Sequence, residues 1–199
     1  MLALFLSIAV HELGHLWPGL ALGQRFVLYG VGPLLVEAVP GGRVRLRWNR
    51  EVSLYGGIAA TLPDRVGRVR ENMATIVAGG PVASLMLAVA TAGMLAWLPL
   101  PRGPLRTELQ WLRLLSAALF VGSAVPLANG PFVTDGKQFL RLLDRGPLGV
   151  AHRAAWIARV RGSVSGTGTN AQYAFASLNT RATVRKSIRT SNHSDQFCT

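Results

Sequence analysis

Over much of this chain the apolar positions do not alternate with polar ones but run together. Residues 1 to 22, residues 73 to 98 (MATIVAGGPVASLMLAVATAGMLAWL, without a charge) and the equally uncharged residues 114 to 134 are the three longest such runs. A helix rises ~1.5 Å per residue, so ~20 apolar residues reach across the hydrocarbon of a bilayer. The pattern therefore predicts three transmembrane helices, over about 1–22, 73–98 and 109–128. A buried core helix would account for any one run, but three of them in 199 residues leave too little polar chain to cover them. A cleaved signal peptide fits the first run poorly, because no basic segment precedes it and no small-residue cleavage site precedes its histidines. In the second run small residues recur at every fourth position, Gly80, Ser84, Ala88, Ala92 and Ala96, a ridge along which a neighbouring backbone can come close.

Between the first two runs the period changes. Arg43, Val44, Arg45, Leu46, Arg47 and Trp48 alternate strictly after the turn residues Pro40, Gly41 and Gly42, which predicts a β-hairpin over about 25–57. Pro18 is expected to kink or end the first helix. The third run closes on SAVPLANGPFVTDG, where Pro126, Asn129, Gly130, Pro131 and Gly136 argue against continuous helix, and irregular backbone at membrane depth needs protein or water around it. KQFLRLL resumes a helix, and GVAHRAAWIARVRG reads as a basic amphipathic helix on the membrane surface, about 148–161. The expected fold is thus mainly α and membrane-spanning, with about three transmembrane helices and a β-hairpin between the first and second. Residues 1–161 form the core, and 162–199, rich in Ser, Thr, Asn and Arg, form a disordered tail.

Composition sharpens the membrane reading. Half the residues are hydrophobic, yet the net charge is +12. The charges sort by loop: eight arginines lie in residues 23–72 and ten Lys or Arg in 137–199, against Arg102 and Arg106 alone in 99–108. The positive-inside rule puts the hairpin loop and the C-terminus of a multi-pass cell-membrane protein in the cytoplasm. That sorting, with no base-reading motif, leaves nucleic acid without support as a partner. Nineteen of the 21 basic residues are arginine, a bias associated with GC-rich bacterial genomes. The single Cys198 excludes a disulfide framework and a cysteine-based zinc cluster.

Costly polar groups interrupt the first run. In HELGH, His11 and His15 lie one helical turn apart on one face and can share a metal ion, while Glu12 sits beside them as a base able to take a proton from water. A purely structural cluster, hydrogen-bonding between helices, is the blander alternative, and ionisable groups in a bilayer argue against it. A catalytic zinc needs a third protein ligand. The candidates are His152, His193 and Asp135, the one acid between Glu108 and Asp144. Asp135 lies in the broken segment, towards the side on which His15 sits, and is the expected ligand; its competing role is to cap the helix that follows.

HELGH, YGVGPLL with SLYGG, AGGPVASLMLA and PLANGPFVTDGKQFLRLL, in that order through residues 8–143, resemble the site-2 proteases, intramembrane zinc metalloproteases that cut transmembrane segments of membrane-anchored proteins. The resemblance implies Zn2+ held by His11, His15 and Asp135, Glu12 as catalytic base, and a single-span membrane protein in the bilayer as substrate. The family pattern has asparagines where Ser84 and Ser123 stand here, with Asn129 near the second, so these three are the expected substrate-binding positions. Two other classes compete: a catalytically silent adaptor that binds transmembrane helices, and a metal transporter, which three spans and a tightly spaced protease motif disfavour.

Overall fold

The computed structural model describes residues 1–39, 41–50, 55–63, 69–99, 101–129, 132–144 and 146. The expected surface helix at 148–161 and the tail at 162–199 lie outside them. Four helices and a four-stranded antiparallel sheet make up the architecture.

Helix α1 spans Leu2–Ala21 and runs through Pro18 rather than stopping there. The reason is local. The proline ring deprives one carbonyl, that of Gly14, of its helical donor, and this carbonyl occupies the space that a Cβ on Gly79 would need. The defect thus falls where two helices touch backbone to backbone. Helix α2, Val69–Trp97, packs along α1, and a Cβ on Gly14 would likewise collide with the Gly79 carbonyl. Of the small-residue ridge, Gly80 and Ser84 meet α1, and the backbones come together at Gly79, one residue off the ridge.

Helix α3 spans Pro104–Ala124, earlier than the 109–128 expected, because Pro104 supplies a helix start beyond the turn at Gly103. It therefore takes in Arg106, Glu108 and Arg113. Among the described residues one helix, Arg70–Trp97, is long and apolar enough to cross a membrane by length and composition. α3 is joined to α1 by polar contacts: Ser7 Oγ lies 3.2 Å from Ser116 Oγ, both buried, and the Ala3 amide donates to Glu108 Oε2 at 3.3 Å.

The hairpin expected over 25–57 is larger than its sequence pattern indicated. Strands β1 (Arg25–Val31), β2 (Leu34–Val39), β3 (Arg43–Trp48) and β4 (Ile58–Leu62) form one sheet in the order β3-β2-β1-β4. The fourth strand, IAATL, is too short and too small-sided to show alternation; pairing with β1 and packing on α1 define it. Leu28, Leu35 and Ala60 form the sheet's buried core. The sheet is pinned to α1 in two places: the Tyr29 hydroxyl donates to the Ala9 carbonyl at 3.0 Å, and the Thr61 side chain fills the space beside Gly19.

The broken segment after α3 forms a two-stranded turn, β5 (Ala128–Asn129) against β6 (Phe132–Val133), followed by helix α4, Asp135–Leu143. Thr134 organises it. Its hydroxyl receives the Leu127 amide at 3.0 Å and donates to the Val125 carbonyl at 2.7 Å.

Backbone contact at the α1–α2 crossing carries a direct prediction. Gly79→Ala and Gly14→Ala should each lower the melting temperature in detergent, by the equivalent of ~1–3 kcal/mol for overpacking or more, since both colliding partners are main chain. Gly93→Ala, which meets open space, is the control expected to show no loss.

Candidate metal centre

Two helices meet in register to form the centre. His11 and His15, four apart on α1, face a stripe of α2 with the same four-residue spacing, Ile76, Gly80 and Ser84. Gly80 has to be glycine, because a Cβ there would enter the His15 ring. His15 Nδ1 is 2.9 Å from the Ile76 carbonyl, and His11 Nδ1 is 2.9 Å from Ser84 Oγ. A carbonyl only accepts, so His15 carries a proton on Nδ1, which leaves Nε2 as its metal-binding atom. The two rings stand nearly perpendicular, at 88°, with their Nε2 atoms 3.3 Å apart.

The third group arrives from α4. Asp135 Oδ2 lies 3.3 Å from His11 Nε2 and 3.6 Å from His15 Nε2. Capping, the competing role for Asp135, falls to its neighbour: Thr134 is the N-cap of α4 and accepts from the Lys137 amide. Asp135 is then the first helical residue, free to turn its carboxylate to the histidines. The helix that delivers it is held at both ends. Gly136 packs so closely on the Ala124 carbonyl that a side chain would not fit. At the far end the Arg70 guanidinium donates to the carbonyls of Leu142 and Leu143 at 2.9 and 3.0 Å. Between these ends Leu142 and Phe139 pack on Met73, Ala74 and Val77 of α2.

These three atoms fit a metal ion by a simple measure. Ligands ~2.05 Å from a tetrahedral zinc lie about 3.3 Å from one another, and the three separations here are 3.3, 3.3 and 3.6 Å. The donor set of two imidazole nitrogens and a carboxylate suits Zn2+, and both imidazoles have the outer hydrogen bonds that metal-binding histidines make. Two ring nitrogens and a carboxylate oxygen in contact also require a metal ion or protons between them. Burial opposes ionisation of Asp135, but the neighbouring His11 and His15 imidazoles outweigh it and bring its pKa down to about 2.

Glu12 projects to one side of this set. Its carboxylate rests against Gly57, which has φ +104°, and a Cβ there would lie 2.6 Å from Glu12 Oε1. Gly57 belongs to the SLYGG motif and ends the chain's approach to β4, so the sheet edge starts beside the base. The expected substrate-binding residues are dispersed. Ser84 is wholly buried against His11. Ser123 bonds within α3, to the Phe120 carbonyl, and Asn129 lies in β5, paired with Phe132. The sequence reading missed the Ile76 carbonyl, which as backbone leaves no trace in the sequence, and the capping by Thr134, which the triplet TDG did signal.

The family model of peptidase family M50 matches residues 1–193. The chain belongs to that family, the site-2 proteases, whose members are zinc metalloproteases of membranes. No curated protein and no solved structure matches the chain.

Metal analysis of the purified protein checks the centre. Wild type should hold close to one zinc per chain, and His11→Ala and Asp135→Ala should each lose most of it. Ligation displaces protons, so retention should fall as the pH is lowered and recover when it is raised.

Proposed function

We propose that the chain is an intramembrane zinc metalloendopeptidase that hydrolyses peptide bonds in the transmembrane segments of membrane-anchored proteins. The observation that carries this reading is the convergence of His11, His15 and Asp135 at ligand spacing beside Glu12. When bound, a zinc ion acidifies water and polarises a carbonyl. Glu12 supplies the proton chemistry: a carboxylate oxygen takes a proton from the attacking water and then returns it to the departing amide nitrogen. His11, His15 and Asp135 hold the ion, and α4 docked on α2 keeps the carboxylate in place.

The distribution of polar groups supports an intramembrane setting. Ser7, His11, Ser84, Thr91 and Ser116 are buried among the helices, whereas Trp17, Met86, Val89 and Trp97 are largely exposed. Such an inside-out arrangement suits three helices, α1, α2 and α3, embedded together in lipid, with the polar face of α3 turned to its neighbours and to the headgroups. The arginine-rich loop and C-terminal region then belong in the cytoplasm.

A helical substrate must be unwound before its carbonyl can be attacked. Among the described residues β4 pairs on one side only, with β1, and it begins next to Gly57 and hence to Glu12. Its open edge suits a substrate taken up as an added strand. The opposite edge, β3, is separated from α1 by the other strands of the sheet.

Two measurements test this function. Glu12→Gln should keep zinc and reduce cleavage of a co-expressed single-span substrate by about 10²–10⁴-fold or more; retained cleavage would remove Glu12 from the role, and a wild type that binds the substrate without cutting it would favour the silent adaptor. Separately, of prolines placed at Ala59 and Ala60, one removes an outward N–H from β4. That variant should keep its zinc yet cut more slowly, and unchanged cleavage would rule out strand addition at this edge.

A further inference from the structure

The two histidines are supported differently on their outer sides. His15 leans on a backbone carbonyl, Ile76, which no substitution removes. His11 leans on a side chain, and that side chain, Ser84, has no exposed surface. It sits eight residues beyond Ile76, two turns along the same stripe of α2. We propose that Ser84 is a positioning residue of the metal centre, whose hydroxyl takes up the Nδ1–H that ligation through Nε2 obliges His11 to carry. The proposal rests on the zinc reading above and adds to it a residue that neither touches the ion nor reaches the substrate.

The physical argument turns on what a hydroxyl can do. Metal ligation fixes the proton of a neutral imidazole on the other nitrogen, so a loaded His11 must donate from Nδ1. With alanine at 84 that donor would be buried without a partner, a state that costs far more than an ordinary hydrogen bond contributes. In the metal-free centre the constraint is absent: the imidazole can carry its proton on Nε2, beside the Asp135 carboxylate, and the same hydroxyl then donates to Nδ1. Ser84 is therefore needed most in the loaded state. A residue that merely packed α1 on α2 would matter equally in both.

Zinc affinity measured by chelator competition, together with melting of the metal-free and zinc-loaded proteins in detergent, separates these cases. Ser84→Ala should weaken zinc binding by roughly 10–100-fold, as loss of an outer hydrogen bond does, and lower the melting temperature of the metal-free protein by less than that of the zinc-loaded protein. Ser84→Thr, which restores the hydroxyl, should bind within a few-fold of wild type; if its extra methyl prevents folding, Ser84→Gly should match the affinity of Ser84→Ala. Affinity of Ser84→Ala within twofold of wild type, beside loss of zinc in His11→Ala, would overturn the proposal while leaving the metal centre intact. So would an equal drop in the melting of the metal-free and zinc-loaded proteins. A wild-type protein that binds no zinc would instead bring down the reading on which it rests.

Discussion

Two imidazole Nε2 atoms and a carboxylate oxygen are held in mutual contact inside a largely apolar bundle, an arrangement that needs a metal ion or shared protons between them. Buried like-polarity groups of this kind repel one another strongly in a medium that screens poorly. Each is fixed from behind: His15 by the Ile76 carbonyl, His11 by Ser84, and Asp135 by its place at the start of a capped helix. Neither imidazole can rotate away without abandoning its outer hydrogen bond. The convergence is therefore built into the fold before a metal binds. This is preorganisation paid for by the fold, and it explains why so much of the remaining structure serves to bring three helices close together.

The closeness comes from missing side chains. Gly14 on Gly79, His15 on Gly80, Gly136 on Ala124 and Glu12 on Gly57 are four contacts at which a single Cβ would push an element outward. All four touch the centre or lie a few residues from it. In the intramembrane setting proposed above, apolar side chains gain little by leaving lipid for protein, so close backbone packing and buried polar pairs such as Ser7 with Ser116 would supply the cohesion. Chemistry and stability thus draw on the same glycines, and a change at one of them is expected to disturb both.

How much of this the sequence disclosed depended on how local each signal was. HELGH carries its geometry within one helical turn, so the facing pair of histidines could be read directly. Asp135 was reachable by elimination and by the broken segment in which it lies, although its partners are 120 or more residues away. The sheet was half legible: strict alternation identified β3, while β4 owes its existence to pairing with β1 and to Thr61 packing on Gly19, neither of which a pentapeptide of Ile, Ala, Ala, Thr and Leu announces. Of the two outcomes expected at Pro18, a kink or an end, the helix does not end, and the carbonyl that the proline frees is the one turned to α2. The limits of α3 were misread. Hydropathy placed it at 109–128, whereas the helix start at Pro104 and the break at Pro126 fix it four or five residues earlier.

The ligands are not equally secure, and the difference lies in their supports. His11 and His15 share one continuous helix, so their separation is set by helical geometry and cannot drift. Asp135 comes from a nine-residue helix beyond an irregular turn, too short to be stable alone. Its position depends on tertiary contacts at three points: Gly136 against Ala124, the Leu142 and Phe139 contacts with α2, and the Arg70 guanidinium on the last carbonyls. Arg70 is in the first turn of α2, the helix that also supplies Ile76, Gly80 and Ser84. One helix therefore orients both histidines through one stripe and anchors the carboxylate's helix through its first turns. Any tilt of α2 relative to α1 would move Asp135 together with the outer partners of the imidazoles, so the centre responds to α2 as a unit rather than ligand by ligand.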